Sequence, residues 1–141
     1  MTVQAWPEPP TAGDSVWCHF PAGVRPHPKP LPALVLDVFG AAERFAVRVA
    51  YGTSQRVREL HSGEFAILRA NHPAAYALAN LSYDTKFDLR QLVELPYTTQ
   101  WFLVPPHAPH GQVPRLGTLH PSLMRAAAAA YRAAAVQGRG R

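Results

Sequence analysis

Proline placement is the feature that most limits how this chain can fold. Twelve of its fifteen prolines lie in three stretches, at residues 7–10, 21–32 and 105–114. Because proline has no amide hydrogen to donate, such stretches do not fit inside a β-sheet. We therefore expect an extended arm over residues 1–10, a long exposed loop over 21–32 and a second loop over 105–114.

Between the proline stretches, alternating apolar side chains indicate short β-strands. Val16, Cys18 and Phe20 lie on the face of a first strand, over residues 15–20, that should be buried. Further strands are predicted over residues 33–38, 45–50, 57–60, 64–68, 85–89 and 91–95, with a short alanine-rich helix over residues 74–81.

The last predicted element is a helix from about Pro121 to Val136, which Gly138 should end. Its narrow apolar stripe should pack on the sheet. Six or more short strands followed by one late helix predict a mainly β fold, a small SH3-like barrel of about six to seven strands. One domain should span residues 11–137, followed by a basic tail over 138–141.

Composition limits the classes of function. The chain has 141 residues, a formal net charge of +5 and a single cysteine, Cys18. The charge favours a polyanionic partner, and the lone cysteine, which should face the core, cannot form an internal disulfide. No apolar run reaches the ~18 residues that a membrane-spanning helix needs. We therefore expect a cytoplasmic protein that does not contact a membrane.

The residues also exclude several kinds of catalytic site. His107 and His110 have no neighbouring cysteine pair or carboxylate cluster to complete a metal site. Phosphate-binding glycine loops and serine-hydrolase motifs are absent from the sequence. Five aromatic residues are suited either to stacking on bases or to core and dimer contacts: Trp17, Tyr51, Tyr83, Tyr97 and Trp101.

Three segments, in this order and spacing, resemble the start of a MazF/PemK-type toxin. They are residues 13–21 (GDSVWCHFP), 30–36 (PLPALVL) and 50–55 (AYGTSQ). The second half of such proteins is similar to residues 85–89 (TKFDL), 93–97 (VELPY), 101–102 (WF) and 116–119 (LGTL). The resemblance covers roughly residues 13–136.

This resemblance implies a small barrel that forms a homodimer and cleaves single-stranded RNA without a metal or other cofactor. In such an enzyme a ribose 2'-hydroxyl attacks the adjacent phosphorus, leaving a cyclic phosphate and a free 5'-hydroxyl. The reaction needs a base, an acid and fixed donors for the charge on the phosphoryl oxygens. A cognate antitoxin would neutralise the toxin by placing its tail in the RNA groove.

By the same resemblance, Thr53 aligns with the active-site threonine, and Ser54 and Gln55 complete its turn motif. The alternative is that this motif is only a turn that ends a strand. Leu31 stands where the family carries a catalytic arginine. Two cations of the same loop are available as substitutes, Lys29 and Arg25.

Other site residues are expected farther along the chain. Asp84 and Lys86 lie where the family places an acidic and a basic catalytic residue, although a surface pair that caps a strand is the alternative. His27 and His19 are candidates for proton transfer, or are simply exposed histidines. The RNA-binding residues expected around this site are Ser54, Gln55, Arg56, His27, Trp17 and His19.

Two functions follow from the sequence. The first is a toxin-like endoribonuclease that acts at Thr53 with a loop cation. The second is a non-catalytic protein of the same fold that has lost the arginine and binds nucleic acid or protein, for example in an assembly.

Overall fold

The protein is a mainly β domain, as the sequence predicts. The computed structural model describes residues 2–21, 29–41 and 44–139. Six antiparallel strands form one curled half-barrel in the order β4-β5-β3-β2-β1-β6. The elements are β1 (Asp14–Cys18), β2 (Leu31–Ala41), β3 (Arg44–Thr53), β4 (Glu64–Ile67), α1 (Pro73–Leu78), β5 (Thr85–Pro96), β6 (Arg115–Thr118), a 3₁₀ turn (Pro121–Leu123) and α2 (Met124–Arg139).

The sheet buries both of its faces, which explains the nearly continuous apolar sequence at the start of β2. Leu34 and Ala50 pack towards the two helices, whereas Val35 and Val49 point into the curl of the half-barrel. Successive side chains of a strand point to opposite faces, so a strand buried on both sides needs apolar residues at consecutive positions. Cys18 lies in the curl and is fully buried, which confirms the core position predicted for it.

The N-terminal arm lies against the segment that follows β5. Trp6 donates its backbone N–H to the carbonyl oxygen of Tyr97 (3.1 Å) and its indole N–H to that of Phe102 (3.0 Å). Ala5 forms an isolated bridge with Thr98, and the Trp6 ring packs on the cluster inside the curl. Trp6 therefore holds the N-terminal arm against the inner face of the sheet.

The structure differs from the sequence predictions in three places. Residues 57–60 form a turn rather than a strand, because Arg56 takes a left-handed conformation (φ 52°) and its carbonyl accepts from Glu59 N–H. Strand β4 pairs with β5. The strands predicted over 85–89 and 91–95 are one continuous strand, β5. Pro32 lies inside β2 opposite Trp17, although the proline loop was predicted to include it.

The helices agree more closely with the sequence predictions. His120 precedes the 3₁₀ turn and accepts the backbone N–H of Ser122 on its Nδ1 atom (3.0 Å), and Pro121 occupies the first turn as predicted. Helix α2 continues through Gly138 to Arg139, because one glycine costs a helix only about 1 kcal/mol. The described part of the chain contains no helix with the length and apolar character that crossing a membrane requires.

Gly117 fixes α1 against the sheet. A β-carbon at this position would overlap the carbonyl oxygen of Leu78 and lie 2.7 Å from that of Ala79. Ser15 completes the contact by donating its hydroxyl to the Ala79 carbonyl oxygen (3.0 Å) in a buried hydrogen bond. Only glycine lets β6 approach the end of this helix so closely. The contact places the residues that follow α1 beside the ends of β1 and β6.

The free energy of unfolding should fall above pH 9, because two buried acids keep their protons in the folded chain. Burial raises the pKa of the Cys18 thiol above its ordinary value of 9.0. Burial, with a smaller contribution from Asp14, raises the pKa of the Tyr97 phenol above 10.0. The unfolded chain releases both protons at the ordinary values. Each group therefore removes about 1.4 kcal/mol of stability per pH unit above its unfolded pKa.

Urea unfolding between pH 8 and 11 measures this decline. Cys18→Ala should remove the part of the slope that begins near pH 9 and leave the part that Tyr97 contributes. A free energy of unfolding that stays constant over this range would contradict the burial of both acids.

Candidate nucleic-acid interface

A cleft of about 610 Å³ opens at one end of the half-barrel. The strand ends contribute Trp17, Leu31, Pro32, Gly52, Thr53 and Thr85 to its lining. The segment after α1 contributes Asn80, Ser82 and Tyr83, and the late proline loop contributes Pro106, His107 and Pro109. Residues distant in sequence thus meet around the Thr53 turn, where the sequence predicts a site.

The register of the sheet explains why these strand ends meet. Thr53 lies opposite Lys86 in the β3 and β5 pair, and Pro32 lies opposite Trp17 in the β1 and β2 pair. Gly52, next to Thr53, allows β2 and β5 to approach β3 closely. A β-carbon there would lie 2.7 Å from the Thr85 methyl and 3.0 Å from the Pro32 carbonyl oxygen. A larger residue would push β2, β3 and β5 apart at the base of the cleft.

The Thr53 turn has a defined local structure. The Thr53 hydroxyl oxygen accepts the backbone N–H of Gln55 (3.1 Å), as side chains of this type do where a strand gives way to a turn. Thr53 and Ser54 line the cleft. Gln55 and Arg56 are exposed beyond it and do not line it. The structure therefore brings two of the four residues predicted for this turn into the cleft.

Lys29 and Leu31 line the same cleft as Thr53. Leu31 is half-buried at the start of β2 and forms part of the apolar wall. Lys29 is the cation of this loop that the structure describes. The other cation predicted as a substitute, Arg25, and the predicted histidine His27 lie outside the described residues.

Lys86 points away from the cleft and is buried. Its ammonium group donates to the carbonyl oxygen of Glu59 (2.8 Å) and to Glu64 Oε1 (3.3 Å), with 8% of the side chain exposed. Glu64 is 5% exposed and also lies 3.7 Å from the guanidinium of Arg90. The interpretation of Lys86 as half of a surface pair is therefore wrong. Its charge is part of a buried ion-pair network.

Asp84 and His19 also lie outside the cleft lining. Asp84 accepts the backbone N–H of Arg69 on Oδ1 (2.7 Å), which ties the segment before β5 to the segment after β4. His19 is half-buried and donates its backbone N–H to the Trp101 carbonyl oxygen (2.7 Å). Its neighbour Trp17 does line the cleft, so the structure separates these two predicted RNA-binding residues.

Tyr83, one of the five aromatic residues suited by sequence to base stacking or to core and dimer contacts, lines the cleft and is 72% exposed. The sequence did not predict Asn80, which follows α1 in a left-handed conformation (φ 57°) and also lines the cleft. An asparagine directly after an alanine-rich helix is a recognisable signal for such a cap. His107 is also left-handed (φ 66°), and Ala108 after it has φ 39°. A positive φ angle strains the backbone of residues other than glycine, and His107 and Ala108 are two such residues in succession. Strained residues of this kind cluster at functional sites.

The charge of the cleft is one-sided. Among the described residues that line it, none is aspartate or glutamate, and its basic side chains are those of Lys29 and His107. Its hydroxyl and amide groups come from Thr53, Ser54, Ser82, Thr85, Tyr83 and Asn80. A mostly apolar cleft with a cation, several donors and an exposed aromatic ring is suited to a ligand with phosphates and planar bases.

No cluster suited to a metal appears in the part of the chain that the structure describes. The criterion is three or more histidine, cysteine, aspartate or glutamate side chains grouped so that they could hold an ion. A scan against protein-family models and a search of curated protein sequences each found no match to this chain.

Proposed function

We propose that the cleft binds single-stranded RNA and that the chain cleaves it slowly, as a toxin-like endoribonuclease. The observation that carries this proposal is the meeting of Thr53, Lys29, the exposed ring of Tyr83 and the half-buried ring of Trp17 in a cleft whose described lining has no carboxylate. Unpaired bases stack on aromatic side chains while cations neutralise the phosphates. Trp17 and Tyr83 are the stacking residues in this proposal.

The chemistry assigned to each residue follows from its side chain. Lys29 holds a phosphate as a point charge, and the Thr53 hydroxyl donates to a phosphoryl oxygen. His107 lies in the same cleft and is the candidate for the proton transfer that 2'-hydroxyl attack requires. The reaction is slow because Leu31 supplies none of the donors an arginine would supply. Loss of one preorganised donor costs about 10²–10³ in rate.

A non-catalytic RNA-binding protein is the second candidate. Leu31 forms part of the cleft wall, Lys86 is buried in an ion-pair network and Asp84 binds a backbone N–H. These observations leave fewer groups for acid–base chemistry than the resemblance implies. In either case we propose a cytoplasmic homodimer whose partners are single-stranded RNA and, for a toxin, a cognate antitoxin.

Thr53→Val should lower the cleavage rate by about 10²-fold, because it removes a hydroxyl donor and keeps the shape of the side chain. The assay is a labelled, mixed-sequence single-stranded RNA incubated with the purified chain in EDTA and resolved on a denaturing gel. Thr53→Ser keeps the hydroxyl and should retain activity. Thermal unfolding of each variant tests whether the loss of the Gln55 hydrogen bond alters the fold.

Fluorescence anisotropy with the same RNA separates binding from cleavage. Lys29→Met should weaken binding and reduce the slope of log K against log salt concentration by about 0.7, the value for one phosphate contact on a single strand. Arg132→Met, which removes an exposed cation on α2, should leave the slope unchanged. Binding without cleavage supports the non-catalytic candidate. Absence of both would overturn the proposal.

A further inference from the structure

Strand β2 extends well beyond the strand that pairs with it on one side. Strand β1 covers β2 from Leu31 to Leu34, and the last backbone contact joins Gly13 N–H to the Val35 carbonyl oxygen (2.8 Å). Beyond this point β2 continues to Ala41, paired with β3 on its other side. Among the described residues, none pairs with residues 36–41 on the side away from β3. We call residues 36–41 the open edge.

The open edge has little protection against pairing with another chain. Its sequence, LDVFGA, contains neither lysine nor proline, the residues that usually block an exposed edge. The one charge, on Asp37, is bound to the guanidinium of Arg48. Phe39 is 42% exposed. A bulge at Leu36 bends the start of the edge, but residues 37–41 keep a continuous register with β3.

A groove of about 400 Å³ runs beside the start of the open edge, between β2 and α2. Helix α2 lines it with Met124, Ala127, Ala128, Tyr131 and Arg132, and Asp37 of β2 lines it from the sheet. The two alanines leave room above the sheet, and the exposed fractions of Met124 and Tyr131 are 55% and 40%. The groove is therefore mostly apolar, with Asp37 and Arg132 as its charged residues, and it lies where the side chains of an added strand would enter.

Charge indicates what this surface binds. Arg125 and Arg132 are exposed and seven residues apart, so they lie on one face of α2 beside the groove. Helix α2 contains neither aspartate nor glutamate. A second copy of this chain would bring the same arginines close together across a twofold axis, which is unfavourable. An acidic segment would instead be attracted.

We propose that the open edge and the groove together bind an extended acidic peptide. The peptide adds a strand to β2 through backbone hydrogen bonds, its alternate apolar side chains enter the groove, and its carboxylates meet Arg125 and Arg132. This site is separate from the RNA cleft, because the two share no lining residue. A peptide bound at this site therefore leaves the RNA cleft accessible.

The test uses a fluorescein-labelled peptide of four Glu-Val repeats and the full chain, with binding followed by fluorescence anisotropy. Arg125→Glu/Arg132→Glu should weaken binding by about tenfold or more, because two attractive contacts become repulsive. The matched control is Arg58→Glu/Arg69→Glu, which makes the same change in net charge at exposed positions elsewhere. A peptide of four Lys-Val repeats should not bind.

Hydrogen exchange locates the contact. Saturating Glu-Val peptide should slow amide exchange in residues 36–41 of the natural chain but not in the Arg125→Glu/Arg132→Glu variant. Equal weakening by both double variants, or binding without protection of these amides, would overturn the proposal in favour of nonspecific attraction. Protection that appears without peptide and rises with protein concentration would assign the edge to a second copy instead.

The test of peptide binding does not depend on whether the cleft binds RNA. Arg125→Glu/Arg132→Glu should leave the anisotropy titration with single-stranded RNA unchanged, and RNA should not displace the peptide. Displacement by RNA would place the peptide in the cleft and overturn the separate site, whatever the RNA assays show.

Discussion

Leu31→Arg should raise the rate of single-stranded RNA cleavage by about 10²-fold or more. Leu31 is half-buried in the cleft wall beside Lys29 and Thr53, so the stem of an arginine can follow the leucine and present its guanidinium to the phosphate. The described lining of the cleft has no carboxylate to bind that guanidinium. The group therefore stays available for a phosphate, and it can donate two parallel hydrogen bonds to two of the phosphate oxygens.

The measurement is the single-turnover cleavage rate in EDTA, compared with that of Leu31→Met, which keeps an apolar side chain of similar volume. The methionine variant should match the natural chain. If the natural chain leaves RNA intact and only Leu31→Arg cuts it, the natural protein is the non-catalytic binder. If a folded Leu31→Arg variant cuts no faster than the natural chain, the cleft is not the place of the reaction.

Local patterns predict the sheet because each depends on neighbours in sequence. The alternation of Val16, Cys18 and Phe20 identifies the buried face of β1, and the apolar start of β2 follows from burial on both faces. Pro32 is an informative exception. It lies in β2 despite having no amide hydrogen, at the end of the strand where the ladder begins.

The candidate site was predictable only in part. The resemblance predicts Thr53, and the search for a cation to replace the missing arginine adds Lys29. The strand register then brings Trp17 to the same cleft. Tyr83 and His107 come from loops that the chain folds over the strand ends, and no local pattern gives their position. Their contribution depends on tertiary contacts such as the packing of Gly117 against α1.

Lys86 shows why a sequence motif can suggest the wrong environment. Its neighbours Phe87 and Leu89 are buried, so alternation places Lys86 on the opposite face of β5, where a catalytic or surface role is reasonable. The segment predicted as a strand over residues 57–60 instead forms a turn whose Glu59 carbonyl covers the ammonium group. Burial of this lysine therefore follows from a loop conformation rather than from the strand pattern.

Lys86→Met should lower the free energy of unfolding by about 3 kcal/mol, near the lower end of the cost of breaking a buried ion pair. The variant leaves Glu64 with 5% of its side chain exposed and without its nearest cation. The loss is limited because Glu64 still accepts the backbone N–H of His61 (2.8 Å) and remains 3.7 Å from Arg90. Urea unfolding followed by tryptophan fluorescence gives the value.

Two further variants distinguish this structural role from the catalytic role that the resemblance implies. Arg69→Met, which removes an exposed cation, should change stability by less than about 0.5 kcal/mol. Lys86→Met/Glu64→Gln removes both charges and should recover part of the loss, because no uncompensated carboxylate stays buried. A Lys86→Met variant that is as stable as the natural chain but has lost RNA cleavage would restore Lys86 to the active site. Loss of stability that the second substitution partly reverses would assign its charge to the fold.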